Sequence, residues 1–440
     1  MTEVDCIIVG AGLAGLTCAR ELTRRGFGVR VLEAADRVGG RVATDDLDGF
    51  RIDRGFQVYL DAYPEGQRQL DLPALHLGCF ESGALIASQG RLRAVSDPWR
   101  RPLSAIGSLL NGSVGIADGL RTATLRSDAI KRFRRGEVNP NEASVLVERS
   151  TRAELQQRGF SEHFIGQFFQ PFFGGVFLER DLATSAAVFY FTFAMFSLGR
   201  ACLPRGGMDA IPKQLAASLP PGVLKLSTPV GRVSPGRVTL IDGREMTAQA
   251  VVVAAESRAA AALLPDQWRG AWALRGVKST RMVAFAAEQS PLLRPTLVVS
   301  AEQGPIDNLS VPSDVVAGYA PVGKAMIYVS VRQDWPGDDD QIPEAVRRQA
   351  VSWFGSQSLG WQHLKTVHVD RALVDESPLG RLQRMVHCRL DQERDKTHSG
   401  LYICGDHCTT ASINGALTSG RLCAEEIADS MPSHRGEASH

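Results

Sequence analysis

Short, nearly unbroken apolar runs punctuate this chain, each followed by glycine or acid. Val4-Asp5-Cys6-Ile7-Ile8-Val9 reads as a strand buried on both faces, the mark of a parallel sheet. Leu13 to Arg25 then predicts an Ala/Leu/Arg-rich helix closed by Gly26, and Val29-Arg30-Val31-Leu32 predicts a second strand. Mid-chain, Val223 to Ser227, Thr228 to Val233, Val238 to Leu240 and Ala250 to Ala255 are short β-rich runs. Turns at Pro235-Gly236 and Asp242-Gly243 separate some of them. Near the end, Gly400 to Ile403 reads as a strand, Gly405-Asp406 closes it, and Ala411 to Leu417 opens a last helix running to about Ser430.

Between these pieces the pattern changes. Residues 104–200 are mainly helical in period, over Ser104 to Leu110, Ile116 to Arg135 and Asn141 to Arg158. Residues 276–384 alternate strand-like runs with loops. Met282 to Ala287 and Ala325 to Val331 are the clearest, and Glu344 to Phe354 predicts a helix entered through Asp340 and Pro343.

The first 41 residues carry the chemistry. Strand, Gly10-x-Gly12-x-x-Gly15, helix, strand and Glu33 make a dinucleotide-binding unit. Gly10 allows the tight turn, Gly12 lets the backbone approach a pyrophosphate, and Gly15 lets helix and strand pack closely. The helix N-terminus at Leu13 and Ala14 offers N–H groups and partial positive charge to phosphates. Glu33 is placed to accept bonds from ribose hydroxyls. So far NAD and FAD fit equally. Arg37-x-Gly39-Gly40-Arg41 separates them, because two arginines around a Gly-Gly turn can neutralise a pyrophosphate at close range.

With these motifs the sequence resembles the flavin-containing amine oxidoreductase superfamily. That group includes monoamine and polyamine oxidases, protoporphyrinogen oxidase and carotenoid desaturases. The resemblance implies non-covalent FAD and an α/β fold. A Rossmann-like FAD-binding domain would be interleaved with a substrate domain of β-sheet floor and helical cap. By resemblance, Gly405 and Asp406 meet the pyrophosphate–ribityl region. Ile413 and Asn414, at the last helix N-terminus, face the flavin pyrimidine, and Val230 gives a backbone contact to adenine. The stretch Gly55-Phe56-Gln57 lies beside the isoalloxazine in relatives, which makes Gln57 a candidate partner of the flavin. Lys278 is a second candidate, since many amine oxidases hold a lysine–water contact to flavin N5. Its surroundings here do not reproduce their lysine context, and an exposed lysine is the alternative.

At 440 residues the chain is long enough for two or three domains. The three FAD pieces divide it into a binding domain of 1–75, 206–275 and 385–430 and a substrate domain of 76–205 and 276–384. A polar tail, 431–440, is expected to be disordered. A net charge of +1 calls for no nucleic acid. Eight cysteines without ligand spacing point to reduced thiols in a cytoplasmic protein and to no metal. The apolar stretch Ala186 to Leu198 is too short to span a bilayer, which needs about 20 residues. Peripheral membrane contact near Phe189 to Phe196 stays open. The basic cluster Lys131, Arg132, Arg134 and Arg135 reads as a solvated helix face, with an acidic-substrate or lipid-headgroup site as the sharper alternative.

Eleven of the chain's 24 Phe and Tyr residues crowd between Phe164 and Phe196. They suit either cap packing or a cavity for a large apolar substrate. No second glycine unit follows the mid-chain strands, so electrons are expected to reach dioxygen, a quinone or another acceptor rather than come from NAD(P)H. The expected activity is removal of a hydride equivalent from a small organic substrate, either an amine or an apolar, conjugated molecule undergoing desaturation or isomerisation. The rival is a flavin-binding scaffold or redox sensor without turnover.

Overall fold

The computed structural model describes residues 4–96, 115–138, 145–268, 276–378, 388–390 and 400–431. Ser104 to Leu110, the start of the Asn141 helix and the tail beyond Met431 lie outside them.

The apolar runs assemble as expected into one seven-stranded sheet. Val4–Val9 pairs in parallel with Val29–Leu32 on one side and with Glu245–Val253 on the other. Leu224–Lys225 and Gly400–Ile403 extend the parallel part at its two sides. Arg237–Leu240 and Val230–Ser234 join the first half of Glu245–Val253 as an antiparallel meander. The register aligns Val9 with Leu32 and Val253, and Val253 with Ile403. The residues after these strands, Gly10, Glu33, Ala254 and Cys404, therefore share one edge. Ligands of open α/β sheets bind at that carboxyl edge. Helices Leu13–Arg24 and Ile413–Ser430 pack side by side at Gly420. A methyl there would stand 2.2 Å from the Ala14 carbonyl oxygen.

A second seven-stranded sheet runs in the order Gln362–Val374, Val277–Ala287, Ala325–Val331, Ile306–Ser310, Leu297–Ser300, Gly83–Ser88 and Arg91–Ser96. Its central strands alternate by face. Val283, Phe285, Ile327 and Val329 pack with helix residues Ile342, Val346 and Ala350, while Met282, Ala284, Met326 and Tyr328 join the main core. The helix expected at Glu344 begins at Ile342, with Pro343 in its first turn, where a missing N–H is harmless.

The cap comprises helices Ile116–Arg134, Thr151–Gln157, Gln170–Phe177 and Ala186–Leu198, with shorter turns between. The single helix expected over Asn141 to Arg158 is interrupted. Ser150 bridges to Ser185, and its hydroxyl accepts the Ala153 N–H, so it starts a new helix instead of continuing one. Ala186–Leu198 is apolar on nearly every face because most of it is buried, with Phe189, Tyr190, Ala194 and Met195 fully covered, while Phe193 and Phe196 are half-buried and Leu198 is exposed. No helix among the described residues is long and apolar enough to cross a membrane.

The thiol expectation needs a correction. Cys79 and Cys202 form a disulfide across the paired strands Gly78–Cys79 and Ala201–Leu203. The pair is far apart in sequence, so spacing could not announce it. Cys6, Cys18, Cys388, Cys404 and Cys423 are free and buried. The cytoplasmic expectation thus loses two of the thiols on which it rested.

Candidate flavin site

Each glycine of the first turn has a distinct geometry. Gly10 has φ +112°, and a methyl on it would meet the Ala254 carbonyl oxygen at 2.7 Å. A methyl on Gly15 would sit 2.1 Å from the Gly10 carbonyl oxygen. Both positions are closed by backbone. Gly12 differs: nothing lies within 4 Å of where its Cβ would be. It begins the Leu13–Arg24 helix, and no side chain caps that end. The N–H groups of the first turn, Leu13 and Ala14 among them, are therefore available to an anion.

The arginine motif lies directly against this turn. Gly39 bridges to Gly12, and its N–H donates to the Ala11 carbonyl at 2.9 Å. A methyl on Gly40 would meet only the Gly12 Cα, at 3.8 Å. Gly12 and Gly40 thus form a side-chain-free cradle, which fits a pyrophosphate.

The acid sits where expected. The two carboxylate oxygens of Glu33 accept the N–H groups of Ala11 at 2.6 Å and Ala35 at 2.9 Å. The loop leading to Val230 lies alongside. The N–H groups of Ser227 and Thr228 donate to the Ala35 and Glu33 carbonyls, both at 2.8 Å. Val230 then starts its strand, half-buried, opposite Leu240. Glu33 and the Val230 loop are thus brought together from opposite halves of the chain.

The two arginines part company. Arg37 donates to the Asp45 carboxylate at 2.8 Å, which Lys365 also meets at 2.7 Å. Burial opposes charge on Asp45, but Lys365 and Arg37 outweigh it and hold the carboxyl below its ordinary range. Arg41 instead reaches the C-terminal motif. It donates to Asp406 at 2.5 Å and to the Ala372 carbonyl at 3.1 Å. Asp406 is buried, yet the Arg41 charge and the neighbouring His407 keep its carboxyl well below the usual range. His407 is fully buried 3.8 Å from it. Gly405 is fixed from the last helix, its N–H donating to the Ser419 hydroxyl at 3.0 Å. Ile413 opens that helix, capped by Ser412. Asn414 is buried, with its side-chain oxygen accepting the Glu65 N–H at 3.0 Å.

Gln57 joins this cluster. Its side-chain amide donates to the carbonyls of Arg41 at 3.0 Å and Arg54 at 3.1 Å. Gly55, with φ +90°, makes the turn before it, and Phe56 packs edge-on against Phe80. Lys278 stands apart from Gln57. It is mostly buried rather than exposed, and bridges the sheet floor to the cap through Glu179 at 2.5 Å and the Phe177 carbonyl at 3.1 Å.

Asp53 escaped the sequence reading. It is fully buried and accepts the Thr44 hydroxyl at 2.6 Å, the Tyr319 hydroxyl at 2.8 Å and the Met208 N–H at 3.0 Å. Its own N–H donates to the Tyr328 hydroxyl at 2.8 Å. Burial pushes its carboxyl up to about 6. By alternation Asp53 shares the parity of Arg51 rather than of the buried Phe50 and Ile52, so the strand pattern gave no signal for its burial. Tyr328 comes from the second sheet and Tyr319 from the loop leading into its strand, so Asp53 ties both to the loop carrying Gly55 and Gln57.

The aromatic cluster mostly packs on itself. Phe164, Phe169, Phe173, Phe177 and Phe189 are buried in one another's contacts, such as Phe173 against Phe189 at 4.9 Å. Phe168, Phe172, Phe193 and Phe196 are only partly buried and are the ones left to line a cavity. Of the basic cluster, Lys131, Arg134 and Arg135 are exposed, as a solvated helix face requires, while Arg132 lies over the Tyr190 ring and meets Asp128 and Glu137.

Comparison with known proteins agrees with this geometry. Residues 13–428 match the family described as flavin containing amine oxidoreductase. A stretch of 55 residues is 51% identical to putrescine oxidase of Kocuria rosea, and one of 57 residues is 54% identical to L-amino acid dehydrogenase of Synechocystis. Each stretch covers 12% or 13% of this chain and 12% of the relative. The fold is similar to that of putrescine oxidase bound to putrescine, at a TM-score of 0.71 and 16% identity, covering 97% of this chain and 99% of that one. It is also similar to cyclohexylamine oxidase from Brevibacterium oxydans, at a TM-score of 0.69 and 17% identity, covering 97% and 99%. With a family match across nearly the whole chain, the chain belongs to the flavin-containing amine oxidoreductase family.

Proposed function

We propose that this chain is an FAD-dependent oxidoreductase that takes a hydride equivalent from a small organic substrate. FAD would be held non-covalently along the carboxyl edge of the first sheet. Gly12 and Gly40 would take the pyrophosphate, Glu33 the ribose and the Val230 loop the adenine. The last helix N-terminus, at Ile413 and Asn414, would stabilise negative charge on the flavin ring. When bound, the flavin supplies the two-electron chemistry. The residues of this chain bind it, orient the substrate and exclude water.

The observation that carries this reading is the open space over Gly12 beside the closed space over Gly10 and Gly15. That open space leaves the backbone at the helix N-terminus open to a phosphate group. Gln57, anchored to the Arg41 carbonyl, is placed to position the flavin ring edge; Lys278, held by Glu179, is placed to set the cap over the sheet floor. Amines are the first substrate class to screen, since a relative named for putrescine oxidation shares a stretch of sequence. Apolar conjugated molecules are the second, with the half-buried phenylalanines as their lining. Dioxygen or a quinone would take the electrons.

The test is an absorbance spectrum of the purified protein, before and after denaturation, then anaerobic mixing with primary amines, diamines and apolar polyenes. Flavin bands released on denaturation and bleached by one substrate class are expected. A colourless protein that FAD cannot reconstitute overturns the cofactor assignment. A yellow protein that no candidate bleaches overturns turnover and favours a flavin-binding scaffold.

A further inference from the structure

Between Cys79 and Cys202 the chain builds two strands of the second sheet, Gly83–Ser88 and Arg91–Ser96, and then the cap, and Cys202 follows the last cap helix. The two cysteines are separated by 123 positions, and every described cap helix, from Ile116 to Leu198, lies between them. The strand Ala201–Leu203 pairs on its other side with Tyr59–Leu60, and Asp61 follows that strand. One carboxylate oxygen of Asp61 and the two sulfurs all lie within 4.8 Å of one another.

The carboxylate is held in place. Its Oδ1 accepts the Arg200 N–H at 2.6 Å, and a methyl on Gly199 would stand 2.2 Å from the same oxygen. Cys202 is buried, while Cys79 and Asp61 are half-buried, so one side of the group faces solvent. Once the bond between the two sulfurs is reduced, two thiolates and one carboxylate oxygen held side by side are a donor set for a thiophilic divalent cation. Water would take a fourth position.

We propose that Asp61, Cys79 and Cys202 form a redox-gated metal site at the root of the cap, suited to Zn²⁺. A dithiol reductant breaks the Cys79–Cys202 bond, becoming a disulfide itself while the two cysteines become thiols. Binding of the cation then displaces one proton from each thiol to solvent. The metal rejoins the strands that the disulfide joined. Oxidation by a disulfide acceptor reverses the exchange and releases the ion.

The test uses the full-length flavoprotein. It is reduced with a phosphine, desalted without air, and titrated with Zn²⁺ alone or with Co²⁺ as a spectroscopic probe. One bound equivalent is expected in the reduced protein and none in the oxidised one. Thiolate-to-cobalt bands and d–d bands beyond the flavin absorption would report the ligands. Asp61→Ala, which keeps the disulfide, should weaken the reduced site roughly tenfold or more, as even outer-shell losses do. Cys79→Ser should abolish it. Equal binding by Cys79→Ser would place the metal on other thiols and overturn the proposal. So would binding that ignores oxidation state, or eight free thiols on denaturing the unreduced protein instead of six.

Discussion

Arg41 donates to Asp406 at 2.5 Å across 365 positions of sequence, joining the arginine motif of the N-terminus to the Gly-Asp motif of the C-terminus. Asp406 is buried and depends on this cation, so removing the arginine strands a charge. Arg41→Ala should destabilise the protein by roughly 3 kcal/mol, the lower end for a broken buried pair, and strip most of the flavin. Urea unfolding with and without added FAD measures both. An unchanged midpoint with full yellow colour would show that Asp406 has another partner.

Gly12 and Gly15 should answer the same substitution differently. A Cβ on Gly12 meets no protein atom within 4 Å, and its φ of −75° is ordinary. Gly12→Val should therefore fold with near-normal stability and purify colourless, because the side chain occupies the space kept for the pyrophosphate. Gly15→Val forces atoms within 2.1 Å of the Gly10 carbonyl and should fail to fold. Circular dichroism and the flavin spectrum separate the cases. A yellow Gly12→Val protein would sink the cradle.

Asp53 sets a pH dependence. Its folded-state pKa of about 6 lies above the ordinary carboxylate value, so the folded protein holds this proton more tightly than the unfolded chain. Its contribution is fully present below about pH 4, is lost as pH rises through 6, and is level above that. Asp53→Asn keeps the oxygen that accepts from Thr44 and Met208, and its amide can donate to the Tyr319 hydroxyl. Between pH 4 and 7 the variant should gain on the wild type by something on the order of 3 kcal/mol. Parallel slopes of stability against pH would rule this assignment out.

Sequence spoke most clearly where the chemistry is local. Gly10 to Glu33 declares itself because turn, helix and ribose acid are consecutive, and the strands at Val4, Val29, Ala250 and Leu401 follow from short apolar runs. It was silent where partners are distant. Lys365 of the second sheet shares Asp45 with Arg37, a contact the arginine motif does not announce. Cys79 met Cys202 only through a small sheet that two- and three-residue strands build. Asp53 looked like any strand acid until Tyr328 of the second sheet and Tyr319 of the loop before it closed around it. The Asn141 to Arg158 helix broke at Ser150 because a side chain able to start a helix outweighed a continuing apolar period.

Lys278 distinguishes a packing role from a direct one. Its ammonium is held by Glu179, whose side chain is only 9% exposed, and by the Phe177 carbonyl at the end of a cap helix. Lys278→Met alone leaves Glu179 charged and unpaired, and should cost roughly 3 kcal/mol. Glu179→Gln alone should cost less, because the amide oxygen still accepts from the lysine. The double variant should recover most of the loss, with a coupling of about 1–3 kcal/mol, since neither group is then left with an unanswered charge. Through all three the flavin spectrum should hold, and anaerobic reduction should slow only as the cap loosens. A lysine acting on the flavin itself would give the opposite pattern. Lys278→Met would then shift the flavin bands and slow reduction steeply, and Glu179→Gln would not rescue it. Unfolding curves and anaerobic flavin reduction on the same three proteins decide between a lysine that holds the cap and one that touches the cofactor.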